Sequence, residues 1–490
     1  MKHKIIATIL LLAAHACAET SRPNIVLIMC DDLGYGDVQC LNPENGKIKT
    51  PCVDKLAKQG MIFTDAHSGS AVCTPTRYGL LTGRYSWRTR LQNGVATGFR
   101  PCLIAPDRLT VAGLLKGQGY HTGIVGKWHL DFQYQDANTG ENLQRKGRVR
   151  IGTIIPDGPT THGFDYFHGN HHARTMDTII ENGKVIEHLE EINNLPRLTE
   201  KSVAYIKERA KSPEQPFFLY VPLGSPHAPI VPTLEWQGKS GLNAHADFVM
   251  QTDATVGAIS DALEENGFAD NTLFIFTSDN GTSKGANIPE LREKGHHVSA
   301  HFRGSKADIW DGGHRVPFVV RWPGKVEPGS RCDQLITLVD FFATASEITG
   351  EKAPDAAEDS VSFLPALSGK PIVSTRKGVI HHSVSGHFAY RQGKWKLLLA
   401  RGSGGWSSPK ERDPVSKAAT EAQLYDMEKD PSEQTNLYLT HPEIAEKLLA
   451  DLTSDVERGR STDGPEAKND VAEIRLWKSG RATSQKKPKH

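Results

Sequence analysis

The sequence has almost no net charge and, past its first residues, no long apolar run. Lysine and arginine together number 58 and aspartate and glutamate 57, which gives a formal net charge of +1. Because proteins that track nucleic-acid phosphates are usually strongly basic, this balance argues against nucleic acid as the main partner. No later segment approaches the roughly 20 apolar residues of a transmembrane helix, so we expect no integral membrane segment.

The N terminus has the pattern of an export signal. A positively charged start precedes an apolar run, residues 5–14, that is too short to span a bilayer, and residues 16–18 are small, as at a cleavage site. We therefore predict residues 1–18 as a signal peptide cleaved after Ala18, and a secreted or periplasmic mature protein. The alternative is a lipoprotein anchored through Cys17, but the three residues before that cysteine include no leucine, which such sites favour.

Cysteine is scarce, at seven residues in the whole chain. Cys40 and Cys52 flank a short loop and are placed to form a disulfide in an oxidising compartment, but spacing alone does not fix connectivity. Free thiols are an equally good interpretation of those two positions.

Short apolar runs rich in β-branched and aromatic residues alternate with helical patterns over most of the chain. The runs are residues 24–30, 122–125, 217–222, 273–277 and 316–321. The helical patterns between them are residues 50–59, 108–118, 199–211, 246–266 and 338–349. Strands buried on both faces have this composition, so the pattern predicts an α/β fold with a large mixed, mostly parallel sheet sandwiched by helices.

The character of the sequence changes in a proline-containing stretch, residues 354–371. We predict a first domain over residues 22–365 and a smaller C-terminal α+β subdomain over residues 366–460. The subdomain has a short antiparallel sheet and then a helix, with elements at residues 378–382, 388–391, 394–399, 423–427 and 442–458. Residues 461–490 are charged and lack periodicity, so we predict a loose tail.

Polar side chains follow four of the predicted strands at the point where each strand ends. Asp31 and Asp32 follow the first, a Lys-Trp-His segment (residues 127–129) the second, His227 comes after the third, and Asp279-Asn280 after the fourth. Ligands of open α/β sheets bind beyond the carboxyl ends of the strands, so we expect these groups on one rim. The acidic and amide side chains are hard oxygen donors, which suit Ca²⁺ or Mg²⁺.

Cys73 opens a predicted helix. Pro75 suits a first helical turn and Gly83 suits a helix end, so Cys73 is expected at the helix N terminus. The backbone N–H groups and the helix dipole favour an anion there, such as a sulfate or phosphate ester. A buried thiol beside a helix cap is the alternative for a lone cysteine.

The segment Cys73-Thr74-Pro75-Thr76-Arg77, followed by four residues and Thr-Gly, resembles the signature of the type I sulfatases of the alkaline phosphatase superfamily. Further segments are similar to sulfatase blocks and occur in the family's order: residues 24–37, 126–130, 162–165, 226–229, 278–281, 303–317, 391–397 and 423–437. The resemblance covers roughly residues 22–440. The domain over residues 22–365 is therefore expected to be the catalytic one.

The resemblance implies that Cys73 is oxidised to formylglycine by a formylglycine-generating or equivalent sulfatase-maturating enzyme. One hydroxyl of the hydrated aldehyde would attack sulfur and expel the alcohol. The second would then lose its proton, and the aldehyde would reform as sulfate leaves. The resemblance also implies that Asp31, Asp32, Asp279 and Asn280 bind Ca²⁺, with the Cys73-derived side chain and a substrate oxygen completing the shell.

The same resemblance gives roles to five further side chains. Arg77 and Lys127 are expected to stabilise the formylglycine and its charge, and His129 to act as the base of the hemiacetal step. His227 and Lys306 are expected to hold the sulfate, and one of them to protonate the departing oxygen.

Three loops rich in arginine, lysine and histidine are candidates for substrate specificity: residues 145–150, 168–174 and 292–301. Long loops on a rigid scaffold commonly carry specificity, so we expect a basic wall that faces a polyanionic sugar. We predict substrate contacts from four of their side chains, His171, His172, Arg174 and His301. Solvated loops without a ligand are the alternative.

These features together predict an exported sulfatase that hydrolyses sulfate esters of a sulfated carbohydrate or polysaccharide. One alternative is a phosphodiesterase or phosphonate monoester hydrolase of the same superfamily, and another is a non-catalytic protein that binds sulfated glycans. An intact Cys73 and the full set of metal and cation positions argue against the second alternative. The family commonly has glutamate where this chain has Asp311, and we expect little effect on catalysis from the shorter side chain.

Overall fold

A computed structural model gives the fold of residues 22–144 and 149–478. The predicted signal peptide with Cys17 lies outside these ranges, as do residues 145–148 of the first basic loop and residues 479–490. In the part of the chain that is described, no helix has both the length and the apolar character that a membrane span requires.

The strands and helices follow one another along the chain as the alternating pattern predicts. The strands are β1 Asn24–Asp31, β2 Met61–Phe63, β3 Ala66–His67, β4 His121–Lys127, β5 Tyr166–Asn170, β6 Thr178–Glu181, β7 Lys184–His188, β8 Phe217–Pro226, β9 Thr272–Ser278, β10 Phe318–Arg321, β11 Ser330–Cys332, β12 Ile336–Thr337, β13 Val379–His382, β14 Phe388–Gln392, β15 Trp395–Leu398 and β16 Gln423–Asp426. The helices are α1 Pro51–Lys58, α2 Cys73–Thr82, α3 Val111–Gly117, α4 Asn194–Arg209, α5 Ala244–Glu265, α6 Ile288–Glu293, α7 Asp311–His314, α8 Phe341–Ile348, α9 Pro414–Ala418 and α10 Pro442–Glu457.

Ten strands form one large mixed sheet in the order β11-β2-β10-β9-β1-β8-β4-β5-β6-β7. The central strands β9, β1, β8, β4 and β5 run parallel, whereas β10, β6 and β7 join as antiparallel strands. The five runs predicted as strands form the contiguous centre of this sheet, β10-β9-β1-β8-β4. The predicted fold class, a mostly parallel sheet between helices, is confirmed.

Strand β1 shows why the centre of the sheet needs helices on both faces. Ile25, Leu27 and Met29 belong to a core on one face, and Val26 and Ile28 belong to a core on the other. Successive side chains of a strand point to opposite faces, so an uninterrupted apolar run demands cover on both sides. Helices α2, α3 and α8 supply it on the first face and α1, α4 and α5 on the second.

The C-terminal part forms a four-stranded antiparallel sheet in the order β13-β14-β15-β16, with α10 packed against it. The sequence-based prediction of a loose tail from residue 461 differs from the structure for residues 461–478. Arg84 is ion-paired with Asp470 at 3.0 Å and donates to the carbonyl oxygen of Lys468 at 2.9 Å. Trp477 packs on the apolar cluster beneath the small sheet. The charged residue Asp470, in the segment predicted to be a loose tail, thus pairs with the buried Arg84.

Cys40 and Cys52 are free thiols, as are the other cysteines within the described residues. Of the two interpretations of that pair, the structure has the one without a disulfide. Desolvation is the first cause that raises the pKa of both thiols, that of Cys52 to about 12.

Candidate active site

The carboxyl ends of four adjacent parallel strands, β9, β1, β8 and β4, bring polar side chains to one rim of the sheet. The chain leaves β1 through Asp32 with a φ of 65°, a left-handed conformation that aspartate tolerates better than most residues. This turn places the backbone nitrogen of Asp32 at 3.2 Å from Asp279 Oδ1, across the boundary between two strands. The groups predicted to converge on one rim therefore do so.

Asp31, Asp32, Asp279 and Asn280, which we call the acidic cluster, leave oxygen atoms unpaired. Asp31 Oδ1, Asp32 Oδ2 and Asn280 Oδ1 are buried, and none of them accepts a hydrogen bond from a described residue. Buried oxygens without a partner are costly, so such a group commonly marks an ion or water that completes it. Ligand atoms of Asp31, Asp279 and Cys73 lie within 4.8 Å of one another. The residues present fit a hard divalent cation such as Ca²⁺.

Three buried cations each hold one oxygen of the three carboxylates in the cluster. Lys127 Nζ donates to Asp31 Oδ2 and Lys306 Nζ to Asp32 Oδ1. Arg77 donates to Asp279 Oδ2 through Nε at 3.1 Å and Nη2 at 2.7 Å. These contacts anchor each carboxylate by one side and fix its orientation.

The charges of the cluster shift the pKa values of its carboxyls in opposite directions. Burial by itself would raise the pKa of Asp31, but the nearby charges of Lys127, His227 and Arg77 outweigh it and hold the pKa below its ordinary value. Burial and the charge of Asp31 raise the pKa of Asp279 to about 7, against the effect of Arg77. Asp31 and Asp279, whose ligand oxygens lie within 4.8 Å of each other, therefore repel one another, and a cation bound between them would relieve that repulsion.

Cys73 is the first residue of α2, and the whole helix is buried. Arg77 lies one helical turn further on, so both side chains are on the same face. Lys306 Nζ is 3.8 Å from Cys73 Sγ. Burial raises the pKa of the Cys73 thiol, although Lys127 and Lys306 oppose it. An unmodified thiol at this position is therefore a poor nucleophile, because the thiolate is the reactive form.

His129 borders the nucleophile from the end of β4. Thr74 Oγ1, beside Cys73, donates to the backbone oxygen of His129 at 3.0 Å. His129 Nε2 lies 3.1 Å from the carbonyl oxygen of Ala96, which only an N–H can satisfy, so the proton of the neutral ring belongs on Nε2. Its Nδ1 is buried and has no partner in the described part of the chain. Burial, reinforced by Lys127, keeps the pKa of His129 well below its ordinary value.

His227 and His172 lie on the open side of the site. His227 Nε2 is 3.6 Å from Asp32 Oδ2, and its side chain is 18% exposed. The ring of His172 meets that of His129 edge to face at 4.3 Å between centroids and is 6.4 Å from that of His227. Burial and Lys127 lower the pKa of His172 to about 2, so this ring is uncharged at any working pH.

The other three predicted substrate-binding residues lie further from the acidic cluster. His171 is buried against Phe132, with a centroid distance of 4.8 Å, and its Nε2 is 4.0 Å from Asp131 Oδ1. Arg174 is exposed on the same loop. His301 is exposed, lies against the neighbouring Phe302 with its ring tilted by 41°, and borders a cavity outside the acidic cluster. Two of the four contact His129: His172 through its ring, and His171 through its backbone carbonyl oxygen, which accepts from the backbone nitrogen of His129 at 2.8 Å.

Asp37 supports the acidic cluster, although it is not among the site residues predicted from the sequence. It accepts from the backbone nitrogen of Gly34 at 3.0 Å, pairs with His296 Nε2 at 2.8 Å and contacts the hydroxyl of Thr282. It therefore ties the loop after Asp32 to the segment after Asn280. His296 is fully buried, so it is no part of the basic wall that the third loop was expected to form.

A second buried ionic group lies beside the small sheet, and we call it the Lys396 cluster. Its members are Asp65, Asp311, Arg315, Arg391, Lys396 and Glu433. Lys396 Nζ donates to Asp311 Oδ1 at 2.7 Å and to Glu433 Oε1 at 2.8 Å. Arg315 Nη1 donates to Asp311 Oδ2 at 2.9 Å. Asp311 therefore ties α7 to the small antiparallel sheet, and among the described residues it makes no hydrogen bond or ion pair with Cys73 or the acidic cluster. The small catalytic effect expected for its shorter side chain stays a prediction.

His67, His314 and His381 also bring ring nitrogens within 4.8 Å of one another. The rings of His314 and His381 stack with centroids 3.9 Å apart and an angle of 10° between their planes. Parallel stacked rings cannot both direct their in-plane lone pairs at one ion, and Lys396 Nζ lies 3.1 Å from His314 Nε2. The geometry therefore fits hydrogen bonding better than metal binding.

Comparison with known proteins connects this geometry to one family. The family model described as Sulfatase matches residues 23–351. An N-acetylgalactosamine-6-O-sulfatase of Bacteroides thetaiotaomicron is 33% identical over 89% of this chain and 93% of its own, and arylsulfatase A of Bos taurus is 32% identical over 90% and 88%. A solved structure from a study of glycosaminoglycan metabolism by Bacteroides thetaiotaomicron has 30% identity and a TM-score of 0.77, and covers 90% of this chain and 100% of that one.

Proposed function

Because the chain belongs to the sulfatase family, and so is a sulfuric ester hydrolase, we propose that it removes sulfate from a sulfated carbohydrate, with formylglycine at Cys73 and Ca²⁺ at the acidic cluster. One observation carries this proposal. Unpaired buried oxygens of Asp31, Asp32 and Asn280 surround the same space as Cys73 and two lysines. The alternatives of a phosphodiesterase and of a non-catalytic glycan-binding protein have no comparable support.

The metal and the modified residue supply what an ordinary side chain lacks. A bound Ca²⁺ would withdraw charge from a sulfate oxygen, and a hydrated aldehyde would provide a nucleophile that releases sulfate without attack by water on a stable ester. The acidic cluster offers only oxygen ligands, the donor set that Ca²⁺ prefers. Maturation by a formylglycine-generating or equivalent enzyme belongs to the same proposal.

The hydrogen bonds of His129, Lys127 and Arg77 indicate the role of each side chain in the proposed reaction. His129 holds its proton on Nε2 against the Ala96 carbonyl oxygen, so Nδ1 is free to take a proton. Lys127 and Arg77 keep the Cys73 environment positive and orient Asp31 and Asp279. We propose His129 as the base that reforms the aldehyde.

We assign the protonation of the leaving oxygen to His227. Lys306 is buried between Asp32 and Cys73, on the nucleophile's side of the site. His227 is partly exposed on the open side, where a departing sugar leaves. With a sulfate ester whose leaving group needs no proton, such as a nitrophenyl sulfate, His227→Gln should lose little activity, whereas Lys306→Gln should stay impaired. Equal losses in both variants on both kinds of substrate would assign the acid elsewhere.

For the substrate, we propose a 6-O-sulfated N-acetylgalactosamine within a glycosaminoglycan as the first candidate. The named activity of the relative from Bacteroides thetaiotaomicron supports this choice, because the two chains align over nearly their whole lengths. The proposed export through residues 1–18 agrees with a polymer that stays outside the cytoplasm.

The test uses protein produced with a formylglycine-generating enzyme, with conversion of Cys73 verified by mass spectrometry of its peptide. Sulfate release is measured on sulfated monosaccharides that differ in the position of the sulfate, and compared with phosphodiester and phosphonate ester hydrolysis. We expect sulfate esters to react fastest, and the 6-sulfate of N-acetylgalactosamine fastest among them. A faster phosphodiester reaction would contradict the proposal.

A further inference from the structure

A cavity of about 860 Å³ opens beside the segment that carries Lys306. Its wall includes Ser305, the residue before that lysine, and Val298, whose carbonyl oxygen accepts from Gly36 in the loop that follows the acidic cluster. Lys284 and Ser407 line the same space. The cavity therefore adjoins the proposed catalytic site, yet none of the proposed catalytic or metal-binding residues lines it.

Trp406, next to the lining residue Ser407, is exposed to solvent. It is 37% exposed and is the only aromatic residue among the exposed large apolar side chains of residues 22–144 and 149–478. An exposed indole offers an apolar face to a partner that brings its own apolar surface. The exposed ring of Trp406 is therefore suited to bind a ligand.

The backbone holds Trp406 rigidly to the catalytic segment. Asp308 Oδ1 accepts from the backbone nitrogens of Trp406 at 2.8 Å and Ser407 at 3.0 Å. The neighbouring Ala307 donates from its backbone nitrogen to the carbonyl oxygen of Ala71 at 2.8 Å, just before Cys73. A ligand on Trp406 would therefore be held at a fixed distance from Cys73 and Lys306.

The cavity carries two exposed cations that no carboxylate engages. Lys284 Nζ lies 5.2 Å from the centroid of the Trp406 ring, and Arg292 is exposed on α6. Neither has an ion-pair partner within the described residues. Lys294, on the same segment, is by contrast paired with Glu290 at 2.8 Å. One carboxylate, Glu293, lines the cavity, so the lining keeps a positive balance.

We propose that this cavity is a second saccharide subsite, which binds an anionic sugar adjacent to the sugar that carries the reacting sulfate. Trp406 would pack against the apolar face of that ring, and Lys284 and Arg292 would bind its carboxylate or sulfate. The inference rests on the proposed function for the nature of the substrate, and it adds that the preferred substrate has at least two sugar units.

The test measures dissociation constants in full-length, Ca²⁺-loaded Cys73→Ala protein, which cannot turn over its ligand. The probes are N-acetylgalactosamine 6-sulfate alone and the same sugar linked to a uronate, to a sulfated neutral hexose or to an unsulfated neutral hexose. We expect an anionic neighbour to tighten binding roughly tenfold over the neutral one. The uronate and sulfate probes distinguish which anion the cations bind, and a gain with either supports the subsite.

Introduced into the Cys73→Ala protein, Trp406→Ala or Arg292→Gln should abolish the tighter binding of the anionic disaccharides. The charge-matched control Lys294→Gln should keep the tighter binding, and none of the three substitutions should change the unfolding temperature. The subsite is overturned if the anionic disaccharides bind no tighter than the neutral one, or if Lys294→Gln weakens them as much as Arg292→Gln. A different result would contradict the proposed function, namely the absence of sulfate release by the formylglycine-bearing wild-type protein. The two failures are therefore distinguishable.

Discussion

The acidic cluster and the Lys396 cluster are both buried networks of carboxylates and cations, but they differ in how completely their oxygens are paired. Asp311 and Glu433 each have a donor on both oxygens. Asp31 and Asp32 each keep an oxygen that accepts no hydrogen bond from any described residue. A fully paired network stabilises one structure, whereas a network with converging unpaired oxygens is ready for a ligand.

The same difference in oxygen pairing distinguishes buried aspartates with a proposed catalytic role from buried aspartates that stabilise the fold. Burial and charge alone would rank Asp311 beside Asp31 as a candidate ligand. The position of the unpaired oxygens, next to Cys73 and at the ends of parallel strands, distinguishes them. The four predictions below test this distinction, in order of the expected effect on sulfate release.

Replacement of Cys73 should have the largest effect. Cys73→Ala removes the group that becomes the nucleophile, so we expect sulfate release to fall by roughly 10⁴-fold or more. Cys52→Ala is the matched control, because Cys52 is a free thiol on α1 with no role in the proposed site. Activity retained by Cys73→Ala in sulfate-release assays would contradict the assigned nucleophile.

Neutralisation of one carboxyl in each cluster should affect different properties. Asp31→Asn should lower kcat/KM by at least about 100-fold, because metal ligands and their supports carry that much activity, and should weaken the rise in unfolding temperature on Ca²⁺ addition. Asp311→Asn should lower the unfolding temperature with or without Ca²⁺ and leave the Ca²⁺ response intact. Calorimetric scans with and without a chelator measure both. The comparison fails if the two variants behave alike.

Removal of the central cation of the Lys396 cluster should change stability but not chemistry. Lys396→Met leaves Asp311 and Glu433 buried without their shared partner, so we expect the free energy of unfolding to fall by about 3–5 kcal/mol. Sulfate release per folded molecule should stay at the wild-type level. Lys394→Met, on the same hairpin but with a partly exposed ion pair to Asp426, is the control and should cost little.

The smallest effect is a pH dependence of stability. Burial raises the pKa of Glu433 to about 7 against the charge of Lys396, with the charge of Asp311 adding to the rise. A raised carboxyl pKa stabilises the fold at low pH, and this contribution is lost as pH rises through 7. Wild-type unfolding temperature should therefore fall between about pH 4.5 and 7 more steeply than that of Glu433→Gln, and the difference should stop growing above that range. Parallel curves for the two proteins would show that Glu433 does not titrate in this range.

The centre of the sheet was predictable because burial on both faces leaves a plain trace in the sequence. Its five strands are short, nearly continuous apolar runs. The outer strands left no such trace. β2 and β11 have three residues each, and only one of the five residues of β7 is buried. Their pairing depends on neighbours far along the chain, which local composition does not encode.

The residues of the candidate site also differ in how far the local sequence predicted them. Asp31, Asp32 and Asp279 were predictable because each follows a recognisable strand, whereas Arg77 was assigned only through the family resemblance. Lys306 lies in an irregular loop and was found only through the family resemblance. The Lys396 cluster escaped prediction altogether, because Lys396 and Asp311 meet across 85 positions of sequence.

Removal and return of the metal test most directly whether the unpaired oxygens of the acidic cluster form the catalytic centre. Formylglycine-bearing protein is stripped with a chelator, its metal content and sulfate release are measured, and Ca²⁺ is added back. We predict that sulfate release disappears with the metal and returns with Ca²⁺ in wild type and in Lys396→Met, but not in Asp31→Asn. Full sulfate release from protein that contains no measurable metal would contradict the central claim.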